Sequence, residues 1–161
     1  MSSSVAQRRY YLWNIGCQMN RADADRLAEA LEARGYHATR DPADADLMLL
    51  NTCVVRQSAE DKVIGRLHSL RPLKTQDGSK ALLVMGCLVD DPAALAQRFD
   101  FVDGFFAPSD ISGVLSFVAQ RDAEAEARPL TAASAAQVSE FVPISYGCDH
   151  HCTYCLVTLR R

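Results

Sequence analysis

The sequence predicts an α/β fold, a mostly parallel sheet flanked by helices, on three observations. Short apolar runs rich in aromatic and branched residues stand at 9–16, 46–51 and 80–86. Helix-period segments follow these runs, as they do in βαβ units. Finally, Cys17, Cys53 and Cys87 each come just after one of the runs, about one strand-helix unit apart.

Taken in order, RYYLWNIG at 9–16 reads as the first strand and NRADADRLAEALEARG as the first helix. Asn20 is its expected N-cap with Asp23 at the third helical position, Ala24, Leu27 and Leu31 form an apolar stripe, and Gly35 is set to end it. After the DPADAD turn, DLMLLN at 46–51 is apolar almost throughout, as a strand buried on both faces must be. A second helix is expected from Ser58, with Ser58 and Asp61 as a capping box and Val63, Ile64, Leu67 and Leu70 facing the core. KALLVMG at 80–86 is the next strand, followed by a helix initiated at Pro92 that turns Leu95 and Phe99 inward. A short strand near Phe101 and Val102 and a helix over about 109–119 complete the series.

Beyond this point the hydrophobic period is lost. The domain reading is therefore 8–120 for the α/β unit, 121–139 for a linker, and 140–161 for the start of a second unit, with a strand at about Phe141 to Ser145. At 161 residues there is room for one ordinary core plus a remnant.

Composition narrows the class. An apolar fraction of 48% and a charged fraction of 23% are those of a soluble globular chain, and no apolar run approaches the roughly 18 residues of a membrane span. The start, MSSSVAQRR, carries no apolar signal core, so the expected compartment is the cytoplasm. Six cysteines are too few for a disulfide-stapled secreted scaffold and point to metal or catalysis. A net charge of −3 gives no electrostatic footprint for nucleic acid, so most of any grip on RNA is expected elsewhere.

In a parallel sheet the carboxyl ends of the strands share one edge, which is where such sheets bind ligands. Cys17, Cys53 and Cys87 are therefore expected to converge on one rim. A single cysteine after a strand is usually a small core residue. Three on one edge, two of them preceded by glycines (Gly16 and Gly86) that let backbone approach a ligand, favour a binding site. Near the other end Cys148, Cys152 and Cys155 share one loop at a spacing that suits a soft centre, either an iron-sulfur cluster or zinc. Zinc would recruit His150 or His151 to make a closed structural site. A four-iron cluster with three protein ligands would instead leave one iron open.

These residues resemble a known family. Cys148-x-x-x-Cys152-x-Tyr154-Cys155 looks like the motif of radical S-adenosylmethionine enzymes, with an aromatic residue before the last cysteine. GCQMN at 16–20, NTCVVRQSAEDKV at 51–63 and MGC at 85–87 resemble the amino-terminal domain of methylthiotransferases. Gln18 and Met19 after the first cysteine are similar to the tRNA-modifying branch rather than the ribosomal-protein branch. One departure is Thr158, where relatives usually carry proline.

The resemblance implies two [4Fe-4S] clusters. Cys148, Cys152 and Cys155 would hold the one whose open iron binds S-adenosylmethionine and cleaves it to a 5′-deoxyadenosyl radical. Cys17, Cys53 and Cys87 would hold the other, which carries the sulfur that becomes the methylthio group. The implied reaction is methylthiolation of C2 of N6-isopentenyladenosine next to the anticodon in tRNA, with an electron donor such as flavodoxin or ferredoxin. Tyr154 would lie beside the cofactor's adenine, its alternative being a loop aromatic packed on a barrel rim. Gln18, Asn20 and Asn51 flank the first trio and are expected to tune that cluster through hydrogen bonds, the alternative for Asn20 being a helix cap and nothing more.

Relatives of this kind continue into a partial (β/α) barrel and an RNA-binding domain. The expectation is thus an amino-terminal fragment, inactive by itself, that carries the first strand and cluster loop of a truncated radical-SAM barrel. The rivals are a non-catalytic iron-sulfur or zinc module, a methylthiotransferase acting on another tRNA base or a ribosomal protein, and, less favoured, a thiol redox protein.

Overall fold

In the computed structural model, which describes residues 7–53, 57–124, 144–145, 147–155 and 157–160, the apolar runs become strands of a single sheet. The strands are β1 (Arg9–Asn14), β2 (His37–Ala38), β3 (Leu47–Thr52), β4 (Ala81–Gly86) and β5 (Gly104–Phe106). Their order is β2-β1-β3-β4-β5, and every neighbouring pair is parallel. The expected mostly parallel sheet is thus wholly parallel among the described residues. The helices α1 (Gln18–Glu32), α2 (Gln57–Gln76), α3 (Pro92–Arg98) and α4 (Ile111–Glu124) accompany it.

The central strands explain the layering. Along β3, Leu47 and Leu49 join the core beneath α1 and α4 with Leu27, Leu31, Val114 and Val118. Met48 and Leu50 point the other way, to Val63, Leu67 and Leu70 of α2 and Leu95 of α3. Every residue of β3 and β4 is buried, as a parallel sheet covered on both faces requires. The strand order reverses between β1 and β3, because α1 returns the chain to one side of β1 and the next crossover goes to the other. A doubly wound sheet offers its ligand crevice at the carboxyl ends of the strands on either side of such a reversal.

Local details follow from backbone hydrogen bonds. Gly35, at φ 81°, ends α1 as expected: its N–H reaches the Glu32 carbonyl at 2.9 Å and the Tyr36 N–H reaches Leu31 at 3.1 Å. Asp91 caps α3 by accepting from the N–H groups of Ala93 and Ala94, with Pro92 in the first turn.

Other expectations need correction. Asn20 is not a cap: α1 starts at Gln18 with Cys17 as the flanking residue, which leaves Asn20 inside the first turn and buried. Ser58 is already helical, so it does not cap α2, whose preceding residues 54–56 lie outside the described ones. Phe101 and Val102 are not a strand. Phe101 lies in a turn edge-on to Phe99, ring centroids 6.1 Å apart, and pairing with β4 begins only at Gly104 opposite Leu83. The two-residue β2 adds an edge strand that the sequence pattern does not signal. α4 runs to Glu124, into the stretch read as a linker; the rest of that stretch lies outside the described residues. So does most of the expected strand at 141–145, of which Ile144 and Ser145 are described and not in a strand. Among the described residues no helix is long and apolar enough to cross a membrane.

Candidate metal centre

β1, β3 and β4 end side by side, with Asn14 opposite Asn51 and Thr52 opposite Gly86. The chain leaving each strand therefore reaches the same rim, and the next cysteine in each case is Cys17, Cys53 or Cys87. Cys17 is exposed, whereas Cys53 and Cys87 are buried, and all three are free thiols.

Contacts tie the three loops together. Gly16, at φ 144°, stands against Cys53: a Cβ in place of its hydrogen would lie 2.7 Å from the Cys53 Cβ. Gly86, at φ 113°, lies against the backbone of Thr52, where any side chain would collide with main-chain atoms. The Cys87 N–H donates to the Thr52 carbonyl at 3.0 Å. Both glycines have a positive φ, and what each approaches closely is a neighbouring loop.

Behind the thiols lies a buried polar cluster. Asn51 Nδ2 donates to the Asn20 carbonyl at 2.6 Å, and Asn20 Nδ2 donates to the Thr52 carbonyl at 2.7 Å. Asn20 Oδ1 accepts from Cys17 Sγ at 3.2 Å. Thr52 is given no role in the sequence expectations, yet it is the hub: its hydroxyl donates to the Met85 carbonyl at 2.9 Å and its own carbonyl joins two loops. The signal available is the polar pair Asn51 and Thr52 closing a run that is otherwise apolar.

The second trio lies on a separate loop. Cys148 and Cys152 are exposed and Cys155 is half-buried. The Cys155 N–H donates to the Cys152 carbonyl at 3.1 Å, and Thr158 Oγ1 donates to the His150 carbonyl at 3.0 Å, closing the loop onto the short helix α5 (Val157–Arg160). Thr158 therefore has a local bond that proline could not make. Tyr154 presents its ring to solvent, 89% exposed, and both histidines are exposed.

Among the described residues no three His, Cys, Asp or Glu side chains are arranged to hold a single metal ion. The donor set of the rim nevertheless fits a cluster. It offers three free thiols, the soft donor type that iron-sulfur ligation uses.

Comparison with known proteins bears on this rim. A tRNA-2-methylthio-N(6)-dimethylallyladenosine synthase from Chloroflexus aurantiacus is 38% identical over 159 residues, 96% of this chain and 34% of the relative. A protein of the same name from Dehalococcoides mccartyi is 44% identical over 153 residues, covering 94% and 34% respectively. Another from Geobacillus thermodenitrificans is 33% identical over 169 aligned positions, covering 96% and 32%. The chain spans about a third of the length of the curated relatives it matches. Residues 9–107, which take in all five strands and the three rim cysteines, match the model described as uncharacterized protein family UPF0004, and the chain belongs to that family.

Proposed function

We propose that this chain takes part in methylthiolation of C2 of N6-isopentenyladenosine beside the anticodon of tRNA, as the cluster-bearing part of a radical S-adenosylmethionine methylthiotransferase. The observation that carries the reading is the convergence of the Cys17, Cys53 and Cys87 loops at the reversal of the sheet. The names of the similar proteins support the reaction.

The chemistry calls for a cofactor, because the aromatic hydrogen at C2 is not acidic enough for a side-chain base to remove. When bound, two [4Fe-4S] clusters and S-adenosylmethionine supply the electron, the radical, the sulfur and the methyl group. The protein's part is to hold them. Cys148, Cys152 and Cys155 would ligate one cluster and Cys17, Cys53 and Cys87 the other, three thiolates to each. Gly16 and Gly86 keep the rim free of side chains that would crowd it. Tyr154, with its ring exposed, is available to pack on the adenine of the cofactor.

The acidic balance, −3 overall, is the reason for assigning most of the tRNA grip to parts of the enzyme other than these residues. An electron donor such as flavodoxin or ferredoxin and a cytoplasmic setting complete the proposal. Because the match takes in a third of each relative, these 161 residues alone are expected to turn nothing over.

Anaerobic reconstitution with iron and sulfide, followed by iron counting, tests the reading. About eight irons per chain, four for each cluster, is the expected result. Tight zinc binding with no cluster absorption would overturn it.

A further inference from the structure

We propose that Asn20 and Asn51 are positioning residues that lock the three cysteine-bearing loops of the rim together before iron is bound, an inference that rests on the cluster reading above. Each carboxamide reaches across to the main chain of the other element, where that element meets a cysteine-bearing loop. Asn51 Nδ2 donates to the Asn20 carbonyl at 2.6 Å, which fixes the start of α1 three residues beyond Cys17. Asn20 Nδ2 donates to the carbonyl of Thr52, the residue before Cys53, at 2.7 Å, and it lies 3.4 Å from Asn51 Oδ1. That same Thr52 carbonyl accepts the Cys87 N–H at 3.0 Å. One main-chain oxygen and two side chains therefore connect all three loops.

Neither amide is needed for the elements that carry it. α1 has no side-chain cap bond, and the ladder of β3 to β1 and β4 is made by backbone groups. Both residues are almost wholly buried, Asn20 at 0% and Asn51 at 1% exposure. A buried primary amide is costly unless bonded, so an apolar side chain would serve packing alone at least as well. The amides are instead bonded to the rim, and the rim is closed tightly over them: a Cβ on Gly16 would come within 2.8 Å of Asn20 Cγ.

The bonds to Thr52 and between the two asparagines involve no thiol, so they leave the three sulfurs free for iron. They hold the three loops to one another, so cluster binding does not have to order them.

The test uses the full chain with Cys148, Cys152 and Cys155 replaced by alanine, reconstituted anaerobically with iron and sulfide, so that only the rim is loaded. In that background Asn51→Leu keeps the branched outline of the side chain and removes the bonds that Asn51 makes. Its melting temperature is measured in the iron-free form, and iron release to a chelator is followed together with the electron paramagnetic resonance signal of the reduced cluster. The expected result is a melting temperature lowered by the loss of these buried bonds and iron release faster by about 10- to 100-fold, the usual effect of losing a partner behind a metal ligand, with a changed signal. Equal release rates and an unchanged signal, whatever the melting temperature, overturn the positioning role and leave the cluster reading intact. A parent that takes up no cluster overturns both. Should Asn51→Leu fail to fold, Asn20→Ser, which shortens the side chain and loses the Thr52 bond, is read by the same two outcomes.

Discussion

Gly16 faces Cys53 across the rim with no room for a methyl group, since a Cβ there would lie 2.7 Å from the Cys53 Cβ and its φ of 144° is one that L side chains avoid. Gly16→Ala is therefore expected to cost about 3 kcal/mol through strain and overpacking together, and to lower iron uptake at the rim. Gly65→Ala supplies the control. Gly65 is an exposed position within α2 where an added methyl group would meet nothing within 4 Å, so alanine should add about 1 kcal/mol of stability. Denaturant midpoints with iron counts on both variants check the contrast.

Thr52→Val removes a hydroxyl and keeps the shape. The Met85 carbonyl, which accepts from Thr52 Oγ1 at 2.9 Å, then loses that bond in a fully buried site. A loss of about 1–3 kcal/mol is expected, the cost of an unmet buried polar group. Urea unfolding measures it, and a stability equal to that of the parent would show that the hydroxyl contributes nothing.

The rim is legible in the sequence because two independent patterns meet there: apolar runs that can only be buried strands, and a cysteine just beyond each. What the residues at 17–20 conceal is the start of α1. Capping preference favours Asn20 over Cys17, but Asn20 bonds across to Thr52, a partner 32 residues away that no local pattern reports. β2 escapes because His37 and Ala38 are both exposed and too few to show alternation. Phe101 and Val102 look like a strand because they are apolar and buried, yet they belong to the core shared with α2 and α3, Phe101 lying against His68 and Phe99, and not to the ladder with β4. For the Cys148 loop the spacing is legible, whereas the bond from Thr158 to His150 depends on the loop's path.

Alkaline pH should weaken the fold through its buried tyrosines. Burial, then the hydrogen bond to Asp122 at 2.7 Å, pushes Tyr36 up to about 12. Tyr10 is raised as well, by burial first and then by Glu32. An unfolded tyrosine loses its proton near pH 10, so the folded state is at full advantage below about pH 10 and loses it as pH rises through about 12. For Tyr36 the loss over that window is at most about 3 kcal/mol, and solvent around its partly exposed partner Asp122 reduces it. Tyr36→Phe should remove part of the alkaline slope and Tyr10→Phe with Tyr36→Phe most of it, as read from melting temperatures between about pH 9 and pH 12.

The two cysteine trios should act as separate sites that fail in a fixed order. Cys53 and Cys87 are buried, and their loops are held by strand ends, whereas Cys148 and Cys152 are exposed on a loop. Ligands reached by solvent exchange first, so a chelator is expected to strip the loop cluster before the rim cluster. Cys152→Ala should then leave about four irons and the slow phase of release, while Cys17→Ala should leave about four irons and the fast phase. Tyr154→Ala should change neither count, because an exposed aromatic ring takes no part in holding iron. Loss of both phases in either cysteine variant would mean that the six thiols form one shared site, and the separation into two trios would have to be abandoned.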